Sequence, residues 1–388
     1  MDLVKEVRAH LEQGILPFWE SLMDTKNGGY IGYVGHDLKR DPESVKGCIL
    51  NSRILWFFSQ ASLTLEKPEL LVYAKHAYEM LCRMCDIWNG GVFWSLNADG
   101  TVADSTKHTY NQAFAVYALS CYARAAKCPG ALEKALLLFD LIEDKCTDSI
   151  GYLEAQTADW KPESNEKLSE NGVMAEKTMN TLLHVLEAYT ELLRASGDAR
   201  VRERLIFILN TLQDKIYNPE RHRQEVFFDR EYHSILDLHS YGHDIETSWL
   251  ADRALEVLGD ETLTARIRPI LMDMAEETRR TAFTDHGFAN ECDRSRVDTD
   301  RIWWVQAEAV IGFLNAWQKT GDAGFRAAAE QQWCYIRDVM IDRRTGSEWF
   351  WGVDEHGVPD TDKPIVDPWK CPYHNGRMAF EVIERSRG

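Results

Sequence analysis

No stretch of the chain approaches the ~18 consecutive apolar residues that a membrane-spanning helix needs. The opening residues, Met1-Asp-Leu-Val-Lys-Glu-Val-Arg-Ala-His10, set charges between apolar positions at helical spacing, with neither an apolar signal core nor a cleavage site. Basic residues are also scarce. Forty-four Lys and Arg stand against 62 Asp and Glu, for a net charge of −18. Such a balance repels phosphate backbones and anionic lipid, so nucleic acid and membranes are not expected partners. An anionic substrate would need a locally basic pocket.

Two further absences narrow the chemistry. There is no βαβ alternation and no dinucleotide fingerprint, and β-branched runs are short. Of nine cysteines, only Cys82-Arg-Met-Cys85 has paired spacing, inside a helical stretch and without a second pair. The set reads as buried or free thiols in a reducing compartment, and a cytoplasmic monomer is the expectation. Composition typical of disorder is missing as well, since 45% of the residues are hydrophobic.

What is present is a repeat. Gly28-Gly-Tyr-Ile-Gly32, Gly90-Gly-Val-Phe-Trp94, Gly151-Tyr-Leu-Glu154, Glu225-Val-Phe-Phe-Asp229, Gly287-Phe-Ala-Asn-Glu291 and Gly346-Ser-Glu-Trp-Phe-Trp-Gly352 recur about every 60 residues, with one longer step before the fourth. After each comes a loop and then an amphipathic segment of helical period, starting near Asn51, Tyr110, Lys177, His243, Ile302 and Asn375. Further helical stretches rich in Ala, Leu, Glu and Lys lie between them. Six such units predict an all-α chain: a single (α/α)6-barrel domain over 1–388, with short hairpin-like loops at the active-site end. A solenoid of helical pairs is the alternative.

The inner-helix starts carry unusually many polar and aromatic residues: Asn51-Ser-Arg53, His108-Thr-Tyr110, Asn180 with His184, Tyr241-Gly-His-Asp-Ile-Glu246, Trp303-Trp-Val-Gln-Ala-Glu308 and Tyr373-His-Asn-Gly-Arg377. If all six begin at one end of the barrel, these groups converge on one cavity. Their free N–H groups would then face it and favour an anion or oxyanion.

The two densest segments run from Leu238 to Trp249 and from Asp367 to Arg377. His243 and Glu246 share a helix face at i, i+3, which predicts an imidazole–carboxylate pair titrating near neutrality. His374 opens the sixth unit as His243 opens the fourth. His184 reads as a binding or ring-opening group, and Arg53 as an electrostatic stabiliser. His239 and His243 are i, i+4, but Ser240 stands where the glutamate of a zinc-protease motif would be, so no metal is expected. Thirteen Trp are mostly packing. Trp249, Trp303, Trp304, Trp351 and Trp369 nevertheless fall beside the polar positions, where flat indoles favour sugar rings.

At these residues the chain resembles the cellobiose 2-epimerases of the N-acylglucosamine 2-epimerase superfamily. The resemblance rests on Ser240-Tyr-Gly-His-Asp-Ile-Glu-Thr-Ser-Trp249, Trp303-Trp-Val-Gln-Ala-Glu308 and Trp369-Lys-Cys-Pro-Tyr-His-Asn-Gly-Arg377, with Asn51-Ser-Arg53 in support. It implies an (α/α)6 barrel, no metal or nicotinamide cofactor, and exchange of glucose with mannose at the reducing end of a β-1,4-linked disaccharide. It also implies an acid/base pair of His243 and His374, polar groups Arg53 and His184 around the reacting sugar, supporting carboxylates Glu246 and Glu308, and aromatic walls Trp304 and Trp369. Asn180, Tyr110, Trp249, Trp303 and Arg377 complete the expected substrate site. Relatives in the superfamily act on N-acyl or free monosaccharides or run aldose–ketose isomerisation, so an N-acylglucosamine 2-epimerase or a mannose-type aldose–ketose isomerase is the alternative. The remaining rivals are an inverting glycoside hydrolase using Glu246 and Glu308, and a non-catalytic sugar-binding protein.

Overall fold

A computed structural model describes residues 2–169 and 172–387. Among the described residues six inner helices, Cys48–Leu65, Thr109–Ala126, Met179–Ser196, Tyr241–Leu258, Trp303–Thr320 and His374–Arg385, pack side by side in a ring. The sixth returns to pack on the first. Around them lie the outer helices: Leu3–His10 running through a π turn into Leu16–Glu20, then Leu71–Arg83, Pro129–Lys145, Ala199–Thr211, Glu261–Thr281 and Ala323–Tyr335. The architecture is the expected (α/α)6 barrel, and each inner helix starts within three residues of its expected position. No described helix is long and apolar enough to cross a membrane.

Inner and outer helices differ in how they bury surface. Glu261–Thr281 hides one stripe, Leu263, Ile267, Leu271, Met274, Ala275 and Thr278, as a surface helix should. Cys48–Leu65 is buried nearly all round, polar residues included. The inner segments are therefore not simply amphipathic, as their pattern had suggested. Their polar residues are core residues, and each needs a partner or a function.

The turns at the closed end have a plain local cause. Gly197, Gly259 and Gly321 take left-handed conformations (φ 65°, 62° and 75°) that stop the third, fourth and fifth inner helices. The next residue in each case, Asp198, Asp260 or Asp322, caps the following outer helix by accepting a backbone N–H.

At the other end, two- and three-residue strands tie neighbouring units together. Lys46–Gly47 pairs with Ser95–Leu96, Lys107–His108 with Ala155–Gln156, Lys177–Thr178 with Phe227–Phe228, Leu238–Ser240 with Glu291–Asp293, and Arg301–Ile302 with Gly352–Val353, all antiparallel. A bridge between Val34 and Val366 closes the circle. Buried lysines brace this end: Lys46 on Asp24 (2.7 Å), Lys107 on Asp86 (2.7 Å), Lys177 on Asp148 (2.8 Å) and Lys370 on Glu348 (2.7 Å). The strands also consume helix-terminal donors. Cys48, Thr109, Met179 and Trp303 each give the first helical N–H to a strand or loop carbonyl. These donors are thus unavailable to a ligand, contrary to the expectation that all six termini would face the cavity freely.

Candidate active site

The strand-bearing end holds a cavity of about 730 Å3, within the range of small-molecule sites. It gathers residues from all six inner-helix starts and from the loop before the sixth. Of the site residues named from the sequence, Arg53, Tyr110, Asn180, His184, His243, Glu246, Trp303, Trp304, Trp369 and His374 line it. Trp249, Glu308 and Arg377 do not; they lie directly behind the wall.

Three imidazoles line the cavity, and each is anchored through Nδ1. His243 Nδ1 lies 2.7 Å from Ser240 Oγ, His374 Nδ1 lies 2.8 Å from Glu308, and His184 Nδ1 lies 3.0 Å from Glu187. Among the described residues Nε2 of each makes no hydrogen bond. Anchoring one ring nitrogen fixes the orientation of the ring and leaves the other nitrogen for chemistry. Trp304 packs against two of these rings, with centroids 4.8 Å from His243 and 5.5 Å from His374. Gly242 makes that packing possible, because a Cβ there would sit 2.5 Å from the Trp304 ring.

The expected His243–Glu246 pair is not formed. Glu246 instead accepts from Arg377 Nη2, which also binds Glu308 at 2.7 Å, while Arg377 Nη1 binds Glu187 at 2.5 Å. One fully enclosed guanidinium thus holds three carboxylates. A fork of five donors suits that position, and it explains why Arg377 sits behind the wall instead of in it. Trp249 plays a supporting part: its Nε1 donates to Glu308 at 2.9 Å and its ring lies 4.9 Å from the Arg377 guanidinium.

Burial overrides the expectation of near-neutral imidazoles. It pulls the His243 pKa down to about 4, against the pull of Glu246. His374 is held well below the usual histidine range by burial and by Arg377 and Arg53. Its partner moves the other way: burial, together with Glu246 nearby, raises Glu308 to about 8 despite Arg377. The His374–Glu308 pair therefore favours a neutral form with one proton between Nδ1 and the carboxylate. Glu187 is the opposite case. Burial works against its charge, but Arg377, His184 and Tyr373 outweigh it and hold the pKa at about 2.

Arg53 is buried under the aromatic wall. Nη2 donates to Tyr110 Oη at 2.8 Å, Nη1 to the Trp369 carbonyl at 3.1 Å, and the guanidinium lies 4.3 Å from the centre of Phe114 and 4.5 Å from that of Tyr373. It brings a fixed positive charge beside the imidazoles and holds the Trp369 loop in place.

Glu246, Glu308 and His374 bring ligand atoms within 4.8 Å of one another. Arg377 already binds both carboxylates, and a cation there would face that guanidinium. The same closeness falls short of the roughly 6.5–9.5 Å between carboxyl groups that an inverting hydrolase needs. Neither chemistry fits the donors present.

Residues 29–375 match the N-acylglucosamine 2-epimerase (GlcNAc 2-epimerase) family. The chain belongs to that family. The cellobiose 2-epimerase of Eubacterium cellulosolvens is 49% identical over 395 residues, covering 97% of each chain. A sugar epimerase structure from a ruminal bacterium superposes with a TM-score of 0.98 at 47% identity over 99% of both chains. The cellobiose 2-epimerase structure from Bacillus thermoamylovorans gives 0.95 at 42% identity over 99% of both. The protein is a carbohydrate epimerase, an isomerase.

The sequence reading passed over Glu187, Ser240 as a partner of His243, and Tyr373 as a donor to Glu187. The signal for Glu187 was available: His184 and Glu187 are i, i+3, the spacing already used for His243 and Glu246.

Proposed function

We propose that this protein is a cellobiose 2-epimerase, which interconverts glucose and mannose at the reducing end of β-1,4-linked disaccharides, cellobiose and lactose among them. One observation carries the proposal: His243 and His374 border the same cavity beside Trp304, each anchored through Nδ1 and each with Nε2 left for the substrate.

Epimerisation at C2 requires a ring-opened sugar, removal of the C2 proton next to the aldehyde, and return of a proton to the opposite face of a planar enediolate. A single base would have to see both faces, whereas two imidazoles on different helices need not. At neutral pH the depressed values of both histidines leave them uncharged, so one can act as a base. The proton held between His374 and Glu308 gives the second imidazole a means to act as an acid: its Nε2 can carry a hydrogen while Nδ1 accepts from Glu308. Arg53 supplies the positive charge that an enediolate needs in a site of low dielectric. Trp303, Trp304, Trp351 and Trp369 offer apolar faces for two sugar rings, and Asn180 and Tyr110 offer hydroxyl partners.

The test is product analysis with cellobiose. The expected product is the intact disaccharide with mannose at its reducing end, and replacement of His243 or His374 by Ala should eliminate it. Release of free glucose, or an unchanged disaccharide, would contradict the proposal.

A further inference from the structure

Trp369, a wall of the cavity, and His374 stand five positions apart in the chain, and the stretch that joins them has no regular structure. Residues 367–373 belong to neither helix nor strand. We infer that Glu348, which lies outside the cavity wall, is a positioning residue with two arms: one sets Trp369 for substrate binding, and the other sets His374 for proton transfer. The inference rests on the epimerase reading, since it concerns the same cavity.

Glu348 is buried in the sixth Gly-aromatic turn, and its lone-pair directions are all filled. Oε2 accepts from Lys370 Nζ at 2.7 Å and from the Trp349 N–H at 3.1 Å. Oε1 accepts from Asn375 Nδ2 and from Trp19 Nε1 at 3.1 Å. Lys370 directly follows Trp369, and Asn375 directly follows His374. The Lys370 ammonium also donates to the Ile365 carbonyl at 3.0 Å, so the chain before and after Trp369 is drawn onto one point. Asn375 in turn accepts the Gly376 N–H at 2.9 Å, in the first turn of the helix that His374 opens. Burial works against the charge on Glu348, but Lys370 and the other donors outweigh it and keep the carboxyl below its ordinary value.

The other lysine-bound carboxylates at this end behave differently. Beyond their lysines, Asp24, Asp86 and Asp148 accept from backbone N–H groups two and three residues further on, and so stiffen only their own turns. The side-chain donors to Glu348 come from 22, 27 and 329 positions away. Two of them sit next to residues that meet the substrate. A shift of about 1 Å at a reacting group can cost on the order of 10²-fold in rate, so the Asn375 arm bears on kcat. The Lys370 arm bears on the fit of a sugar ring against Trp369, and hence on KM.

Steady-state kinetics with cellobiose separate the arms, with rates expressed per folded protein as counted by circular dichroism. Asn375→Ala should lower kcat about tenfold and leave KM within about twofold. Lys370→Met should raise KM about fivefold or more and leave kcat within about twofold. Glu348→Gln can accept through only one of its two terminal atoms, so it should show both effects. Trp19→Phe removes a buried donor to the same oxygen but belongs to neither arm, and both constants should stay within about twofold. A role in stability alone predicts that the variants unfold at lower denaturant while the folded fraction keeps wild-type kcat and KM. That result overturns the inference, as does a Trp19→Phe whose kcat falls as far as that of Asn375→Ala. Asn375→Ala alters no charge, so it remains a test if the charged variants do not fold, and wild-type kcat in it overturns the inference by itself. Failure of wild type to epimerise at all would instead defeat the epimerase reading.

Discussion

The two sides of the cavity present the same pair of residue types to the same guanidinium, with opposite results. On one side Glu187 meets Arg377, Tyr373 and His184, three donors with no rival acceptor, and its pKa falls to about 2. On the other, Glu308 meets Arg377, Trp249 and His374, but Glu246 competes for the same Arg377 nitrogen, and its pKa rises to about 8. Burial is complete in both cases, so burial alone does not explain the difference. What differs is the neighbour: among the carboxylates Arg377 Nη1 serves Glu187 alone, whereas Glu246 shares Nη2 with Glu308 and its charge raises that group. One imidazole therefore rests beside a permanent charge and keeps one tautomer. The other rests beside a movable proton and can present either.

The largest effect that would break this contrast is removal of a reacting imidazole. Replacing His374 or His243 by Ala should cut epimerisation about 10²–10⁴-fold in steady-state assays, with helical circular dichroism retained. Arg377→Met removes the shared cation and leaves three buried carboxylates without it. A loss of about 3–5 kcal/mol in chemical denaturation is expected, and with it the difference between the two sides. Glu308→Gln keeps the shape but removes the movable proton, and it should lower kcat about 10–100-fold.

The pH profile sharpens the comparison further. In wild type, kcat/KM should hold from about pH 5 to 7.5. It should fall toward pH 4 as His243 takes a proton, and fall above about 8 as the His374–Glu308 pair loses its own. Glu308→Gln should abolish the alkaline fall and leave the acid one. Stability follows the same signs. His243 has a folded value below its unfolded value near 6.5, so its contribution is present above that value and is lost as pH drops toward 4. Glu308 has a raised value, so its contribution is full below its unfolded value near 4.3 and is lost as pH rises through about 8. The smallest effect belongs to Ser240→Ala, which frees His243 without deleting it. A loss of less than about tenfold in kcat is expected from less certain orientation.

Much of this was legible in the sequence, and the part that was not has a physical reason. The inner-helix starts were readable because each concentrates polar residues where packing alone would not place them, as at Tyr241 to Glu246 and Tyr373 to Arg377. The Gly-Asp pairs at Gly197, Gly259 and Gly321 were passed over, although they repeat at a fixed interval and are local stop-and-start signals that depend on one or two residues. Partners were another matter. Glu246 was assigned to His243 because three residues separate them, yet its cation is Arg377, 131 positions away. The histidine pKa values followed the same course. Local charge argued for neutrality, while complete burial, a property of the closed ring, drove them down. The buried lysines on Asp24, Asp86 and Asp148 were missed because nothing nearby marks Lys46, Lys107 and Lys177 as core residues.

The central claim is that a C2 proton is removed and replaced while the disaccharide stays whole. It is tested most directly by proton NMR of cellobiose incubated with wild-type protein in D2O. Deuterium at C2 of the reducing-end sugar in both epimers, with the glycosidic bond intact, is the predicted result. Mannose epimer formed with its C2 hydrogen retained, or no change at C2 at all, would contradict it.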